Sequence, residues 1–244
     1  MILLLHKRQI LSSALFLILL GGMTAILWKG GRQTAQVFFA TGGEAPVVVI
    51  DAGHGGVDGG AVAADGTVES GINLAIARRV DALMRFTGQK TQMTRTEDIS
   101  IYSEGSDSIR EKKVSDLHNR VALVNGMSCA VLISIHQNSL PSSPSVHGAQ
   151  VFYNAAAGGD VVAKSIQASL NDSVNRDNPK TAKQGGANIY LLKETTAPAV
   201  IVECGFLSNR GETDLLKDPS YQLKLAVSVT AGYLAADPAR EEHS

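Results

Sequence analysis

Three runs of mainly apolar residues constrain the fold of this 244-residue chain more than any other feature of its sequence. They occupy residues 47–51, 130–135 and 199–202. A strand that is covered on both faces reads as such a continuous run, whereas a strand with one solvated face alternates apolar and polar residues. Segments with apolar residues at helical spacing separate the runs. This alternation predicts an α/β fold, with a mainly parallel, twisted sheet of about six strands and helices on both of its faces.

Periodicity and turn residues predict the other elements. We expect a helix over 71–86, a strand over 89–94, a long polar loop over 96–115, a helix that Asp116 caps and Gly126 ends, strands over 149–153 and 189–192, and a helix that ends near Asn175. The last helix is expected to present Leu223, Ala226, Val227, Thr230 and Tyr233 to the core.

Polar side chains stand where the three runs end. His54 lies in the glycine-rich turn after the first run, His136 directly follows the second, and Glu203 follows the third. Glu69 comes near the start of the first predicted helix. Because loops from different parallel strands converge outside the carboxyl ends of those strands, we expect these four side chains to lie close together.

The four residue types suit hydrolysis of an amide at a zinc ion. A catalytic zinc commonly has three protein ligands, and two imidazoles with one carboxylate are a frequent set. His54, Glu69 and His136 match that set, with one Zn²⁺ per chain. Glu203 is then free to act as general base toward the attacking water and as general acid toward the leaving amine.

Each of these residues also has a simpler interpretation. A glycine-rich turn after a strand is typical of nucleotide-binding loops, but the spacing here is not G-x-G-x-x-G and no Walker lysine follows. A single histidine at a strand end is often structural, and Glu69 alone would be a carboxylate at a helix N-terminus. Asp58 and Asp65 are alternative carboxylate ligands. The coincidence of all four residues favours the metal site.

The N-terminal segment indicates targeting to a membrane. Residues 10–28 contain no charged side chain, and His6, Lys7 and Arg8 precede them. Such a segment is long enough for an uncleaved anchor, and a cleaved signal peptide is the alternative. We therefore expect an anchor or signal over 1–28, a linker over 29–45, a catalytic domain over 46–236 outside the cytoplasm, and a polar tail over 237–244.

Composition excludes some classes of partner. Lys and Arg number 22 against 23 Asp and Glu, so the net charge of -1 gives no reason to expect nucleic acid. Aromatic residues are only 5% of the chain, which leaves few platforms for a separate sugar-binding module. Cys129 and Cys204 are expected to be small buried core residues rather than a disulfide.

Between residues 47 and 233 the chain carries, in order, VVVIDAGHGGVDGGA, a glutamate that opens a helix, TRTED, LHNRVALVNGMSCAVLISIHQN and PAVIVECGFLSN. In these motifs it resembles the zinc-dependent N-acetylmuramoyl-L-alanine amidases of type 3. The resemblance implies cleavage of the amide between the lactyl group of N-acetylmuramic acid and the L-alanine of the peptidoglycan stem peptide. It also implies that His54, Glu69 and His136 bind zinc and that Glu203 is catalytic.

Two residues beside the inferred cleft are candidates for contact with the muramyl or peptide moiety. Asn138 and Arg95 would each either hydrogen-bond the substrate or brace a loop. Gln137 departs from the small residue that is usual in the family, so substrate contacts near the zinc are expected to differ. Ala52 replaces a frequent proline, which should matter little to the metal.

The layout of one catalytic domain behind an apolar N-terminal segment resembles the sporulation and germination members of that family. This resemblance implies action in the spore cortex, on the way to muramic-δ-lactam. The stretch over 96–115 has neither the length nor the apolar periodicity of an autoinhibitory helical insert, so we expect another regulator, such as an activating protein partner. The alternatives are a membrane-tethered protein that binds peptidoglycan without turnover, and a zinc peptidase that cuts within the stem peptide.

Overall fold

The computed structural model describes residues 45–236, which form one six-stranded sheet with helices packed against it. The strands are β1 (Val47–Ala52), β2 (Thr91–Met93), β3 (Ala130–Asn138), β4 (Gln150–Tyr153), β5 (Lys183–Gln184) and β6 (Ala199–Phe206). The helices are α1 (Glu69–Phe86), α2 (Ile109–Asn125), α3 (Gly159–Ser173), α4 (Tyr190–Glu194), α5 (Arg210–Lys217) and α6 (Pro219–Ala235).

The sheet is mainly parallel, as the sequence predicts. Its strand order is β2-β1-β3-β6-β4-β5, and only the β4–β6 pair is antiparallel. The three long central strands are β1, β3 and β6. Ala52 is level with Ile135, and His136 is level with Glu203, so the carboxyl ends of these strands lie at one edge. The topology therefore brings the ends of all three apolar runs together.

Helices cover both faces of this sheet. On one face, Val49, Leu132 and Ile201 from the three central strands join one buried cluster with residues of α2 and α4. On the other face, α1 and α3 both pack against α6. Gly232 of α6 allows this packing, because a Cβ there would lie 2.5 Å from the Cα of Ile166 in α3. The α/β architecture with helices on both faces is confirmed.

The predicted strand over 189–192 is wrong. These residues enter the short helix α4, whose consecutive residues Leu191 and Leu192 are both buried. A short apolar run fits a buried strand and a buried helix equally well, because periodicity cannot separate them over so few residues. The sixth strand is instead β5, two exposed polar residues that pair with β4 through their backbone.

Helix α2 begins earlier than the sequence predicts. Ser108 accepts a hydrogen bond from the backbone N–H of Glu111, and the Glu111 carboxylate accepts one from the backbone N–H of Ser108, which is a capping box. Asp116 is therefore inside the helix, and not its cap. The first two turns are largely exposed, and their apolar residues Ile109 and Val114 do not recur at helical spacing, so the sequence does not distinguish them from the predicted loop over 96–115.

Two smaller expectations also need correction. On α6, Leu223 and Val227 are exposed, whereas Leu225 and Val229 are buried in their place. Cys129 is exposed rather than in the core. Cys204 is buried as expected, and both cysteines are free thiols.

Within residues 45–236, none of the helices combines the length and the apolar character needed to cross a bilayer. The predicted anchor or signal over 1–28, all but the last residue of the predicted linker, and the tail over 237–244 lie outside the described residues.

A buried ion-pair network joins α2 to the end of β1. Asp51 is 1% exposed, and the guanidinium of Arg120, itself 2% exposed, donates to its carboxylate. Thr94 and Ser134 also donate hydroxyl hydrogen bonds to Asp51, and Arg120 pairs with Asp116 at 2.6 Å. Burial alone would raise the pKa of Asp51, but the Arg120 charge and these hydrogen bonds lower it to about 2. Both members of the pair are therefore charged at neutral pH.

We expect Arg120→Met to lower the free energy of unfolding by about 3–5 kcal/mol, because it leaves the Asp51 carboxylate buried without its cation. Urea unfolding followed by circular dichroism measures this loss. The double variant Asp51→Asn/Arg120→Met should lose less than the sum of the two single variants, since it removes the unpaired charge as well. Additive losses would contradict a coupled pair.

Candidate metal centre and active site

Three side chains from three different elements meet at the carboxyl edge of the sheet. His54 lies in the turn after β1, His136 near the end of β3, and Glu69 is the first residue of α1. The Glu69 Oε1 lies 3.1 Å from His136 Nδ1 and 3.4 Å from His54 Nε2. One donor atom from each residue lies within 4.8 Å of the others. Among residues 45–236, this is the one group of three or more such side chains spaced to hold a metal ion.

Glu69 is fixed from both sides of its carboxylate. Its Oε2 accepts a hydrogen bond of 2.8 Å from the backbone N–H of Ala61, and its Oε1 accepts bonds from the Asn73 side chain at 3.0 Å and the Gln137 backbone N–H at 3.1 Å. Burial alone would raise the pKa of Glu69, but hydrogen bonds to His136 and His54 hold it well below its usual range. The carboxylate is therefore ionised and aimed at the two imidazoles.

The structure separates Glu69 from the two alternative carboxylates. Asp58 approaches His54 on the other ring nitrogen, with its Oδ2 2.8 Å from Nδ1. Asp65 is exposed and pairs with Lys217 at 2.6 Å, away from both histidines. Only Glu69 of these three lies between His54 and His136.

Two glycines provide the space that the three side chains occupy. A Cβ on Gly53 would lie 2.2 Å from the Cε1 of His136, so the imidazole is packed flat against this backbone. A Cβ on Gly60 would lie 2.5 Å from Glu69 Oε2 and 2.7 Å from His54 Cδ2. The glycine-rich turn is therefore required by the close approach of the three side chains.

His54 has a left-handed backbone conformation, with φ of 60°, which is uncommon for a residue other than glycine. Two buried arginines hold the carbonyls around it. Arg120 donates to the carbonyls of His54 at 2.8 Å and Ala52 at 2.9 Å. Arg95 donates to those of Ala52 at 2.8 Å and Gly53 at 3.0 Å. These bonds compensate for the unfavourable conformation and fix the direction of the imidazole.

In the structure the guanidinium of Arg95 contacts the backbone carbonyls of the loops around it. Its side chain is fully buried, and it also donates to the backbone carbonyls of Ser70 and Glu97. No surface of the guanidinium is available to a substrate. Sequence reasoning missed Arg120 altogether, although its position four residues after Asp116 on a helix is a signal for an internal ion pair.

The two residues after His136 have different surroundings. Gln137 is buried, and its side-chain amide donates to the Asn73 oxygen at 3.1 Å, while Asn73 donates to Glu69. The expected change in substrate contacts at this position stays a prediction. Asn138 is half-buried at the end of β3, where its side-chain oxygen accepts from the backbone N–H of Ser139. It remains a candidate for substrate contact.

Glu203 stands beside the cluster, level with His136 on the neighbouring strand. Its Oε2 is buried and has no hydrogen-bond partner in the described part of the chain. Burial raises the pKa of Glu203 to about 7, although the charge of His136 opposes the shift. A carboxyl group with a pKa near neutrality can both accept and donate a proton under ordinary conditions.

This donor set fits zinc better than the hard cations. Two imidazole nitrogens and one carboxylate oxygen are typical of catalytic zinc, whereas calcium and magnesium prefer oxygen ligands alone. Cys204 lies beneath the site, but burial raises the pKa of its thiol far above neutrality, so it offers no thiolate to a metal. His54, Glu69 and His136 can thus hold a zinc ion beside Glu203.

We expect Gly60→Ala to weaken Zn²⁺ binding roughly 10- to 100-fold, because the new methyl group displaces Glu69 and His54. Gly66→Ala is the matched control. Gly66 has a φ of +85°, similar to the +72° of Gly60, but the space around it is open. Both variants should lose about 1 kcal/mol of stability from the backbone alone. Competition with a chromophoric chelator measures the affinity, and equal affinities in the two variants would rule out the steric explanation.

Residues 48–234 match the family model described as N-acetylmuramoyl-L-alanine amidase. The germination-specific N-acetylmuramoyl-L-alanine amidase of Bacillus subtilis (strain 168) is 36% identical over 188 residues, which are 77% of this chain and 78% of that relative.

Solved structures give the same result. The CwlD amidase from Clostridioides difficile, determined in complex with the GerS lipoprotein, has a TM-score of 0.74 and 36% identity, over 79% of this chain and 100% of that one. An N-acetylmuramoyl-L-alanine amidase from Clostridium difficile 630 has a TM-score of 0.67 and 29% identity, over 79% of this chain and 97% of that one. This chain therefore belongs to the type 3 family of N-acetylmuramoyl-L-alanine amidases, which are hydrolases of peptidoglycan.

Proposed function

We propose that the domain over 46–236 uses one bound Zn²⁺ to hydrolyse the amide between the lactyl group of N-acetylmuramic acid and the L-alanine that begins the stem peptide. The observation that carries this proposal is the joint position of the His54, Glu69 and His136 donors next to the buried carboxyl of Glu203. The family membership supports the bond that is cut.

In this proposal His54, Glu69 and His136 hold the ion, and its chemistry when bound is to polarise the scissile carbonyl and to lower the pKa of water. Glu203 accepts a proton from the attacking water as the new carbon–oxygen bond forms. It then gives that proton to the amine nitrogen of L-alanine as the carbon–nitrogen bond breaks. The products are a free lactyl carboxylate and a peptide with an N-terminal L-alanine.

The surroundings of Glu203 support this role. A buried oxygen without a hydrogen-bond partner can receive a proton without first breaking another bond. A pKa of about 7 leaves a substantial fraction of Glu203 ionised and ready to act as a base at neutral pH. Glu69, whose pKa is held low, stays ionised and is suited to binding a cation instead. The two carboxylates thus have different environments for different tasks.

We further propose that the enzyme acts outside the cytoplasm on spore cortex, where removal of the stem peptide precedes muramic-δ-lactam, and that residues 1–28 anchor it to the membrane or direct its export. The similarity to a germination-specific amidase supports the cortex as the substrate. The relative solved with a lipoprotein supports an activating protein partner. Asn138 would contact the muramyl or peptide moiety from the end of β3.

We expect Glu203→Gln to lose amidase activity by roughly 10²- to 10⁴-fold while one zinc per chain is retained, because the amide keeps the shape but cannot take the proton. His54→Ala and His136→Ala should lose the metal itself. His118→Ala, an exposed histidine outside the site, is the matched control. Metal analysis and release of peptide from peptidoglycan measure these effects, and a fully active Glu203→Gln protein would refute the mechanism.

Mass analysis of the digestion products distinguishes the alternative functions. With zinc added, we expect cortex peptidoglycan to yield peptides with N-terminal L-alanine and glycans without peptides. A zinc peptidase would instead leave L-alanine on the glycan. A protein that binds peptidoglycan without turnover would release neither product, and vegetative peptidoglycan tests whether the substrate is restricted to cortex.

A further inference from the structure

Asp58 contacts the outer side of His54, opposite the side that faces Glu69. Its Oδ2 lies 2.8 Å from His54 Nδ1, and its Oδ1 accepts a hydrogen bond of 2.7 Å from the Lys113 ammonium of α2. The backbone N–H of Gly60 also approaches Oδ1, at 3.3 Å. Both oxygens of this carboxylate therefore have partners, and the one toward the site is directed at the imidazole.

The backbone of the turn places Asp58 in this position. The N–H of Gly55 donates to the carbonyl of Asp58 at 2.7 Å, and the N–H of Asp58 donates to the carbonyl of Gly55 at 3.1 Å. This reciprocal pair folds the chain back on itself directly after His54. Asp58 therefore reaches Nδ1 of His54 as a consequence of the turn and not through a chance contact of flexible side chains.

The contact determines which nitrogen of His54 is available to a cation. An ionised carboxylate can only accept hydrogen bonds, so the Nδ1 that faces Asp58 must carry the hydrogen. The lone pair of the neutral ring is then on Nε2, which is the nitrogen 3.4 Å from Glu69 Oε1. A carboxylate on the outer nitrogen also makes the imidazole a stronger donor to a metal.

Lys113 fixes the carboxylate and balances its charge. It extends from α2, the same helix that supplies Arg120. Without a cation, Asp58 and Glu69 would place two negative charges on either side of one imidazole. The ammonium at 2.7 Å offsets one of them and limits rotation of the Asp58 side chain.

We propose that Asp58 is a positioning residue of the metal site: it holds His54 with hydrogen on Nδ1 and with Nε2 directed at the ion, while Lys113 holds Asp58. The proposal rests on the zinc site of the proposed function. It gives Asp58 a task different from the direct metal ligation that the sequence left open for it.

Asp58→Ala should weaken Zn²⁺ binding by roughly 10- to 100-fold, measured by competition with a chromophoric chelator. Asp58→Asn retains an oxygen that can accept from Nδ1 and should recover part of that affinity. Asp65→Asn is the matched control, because Asp65 is in the same loop but pairs with Lys217, and its affinity should equal that of the unaltered protein.

A second measurement separates positioning from general loosening of the loop. In the zinc-loaded protein, the Nδ1–H proton of His54 should be visible and slow to exchange in long-range ¹H–¹⁵N spectra. In Asp58→Ala this proton should exchange faster, while the ring signals of His118 and His147, which lie outside the site, should be unchanged. A thermal melt of the metal-free variant checks that the domain is folded.

The outcomes distinguish the two proposals. If the unaltered protein binds no zinc, both fail. If it binds zinc and Asp58→Ala binds it equally well, the positioning role alone is refuted and the amidase mechanism stands. Equal losses in Asp58→Ala and Asp65→Asn would also refute it, since they would point to the loop as a whole.

Discussion

The ion pair between Arg120 and Asp51 is the interaction on which the rest of the site depends. A guanidinium that is 2% exposed requires compensation for its lost hydration, and Asp51 and Asp116 provide it. Its remaining hydrogen-bonding capacity goes to the carbonyls of Ala52 and His54. The pair thereby joins α2, the end of β1 and the left-handed turn into one unit. Stability and the geometry of the candidate site are coupled here, because the charge that neutralises Asp51 also holds the backbone of His54, a candidate metal ligand.

The general position of the site follows from the sequence because it depends on local patterns and one rule of topology. Continuous apolar runs predict buried parallel strands, and parallel strands deliver the residues after them to one edge. His54, His136 and Glu203 each follow such a run. Their proximity can therefore be predicted without knowing the register in which the strands pair. The position of Glu69 depends instead on how the loop before α1 folds back. The hydrogen bond from Ala61 to Glu69 is the contact that local pattern could not supply.

The features that the sequence did not predict all depend on long-range contact or on polar residues. Arg120 and His54 are 66 residues apart, and nothing in either local sequence indicates that they touch. The sequence does not indicate the start of α2, because its first turns are solvated and carry no apolar stripe. It does not distinguish helix α4 from a strand, because four apolar residues do not define a period. Both interpretations of Arg95 fit its sequence, and the burial of its side chain becomes clear only from packing.

The antiparallel orientation of β4 has a consequence for how this fold diversifies. β3, the other neighbour of β6, ends at the same edge of the sheet as β6, whereas β4 begins there, with Gln150 level with Glu203. The connection over 139–149 therefore forms one rim of the cleft while both of its ends are fixed by strands. Insertions or deletions in that connection would reshape the rim beside Glu203 and leave the sheet, the arginine contacts and the ligand turn unchanged. Residues 139–149 include none of the three candidate metal ligands, so the length of this connection can change without moving them.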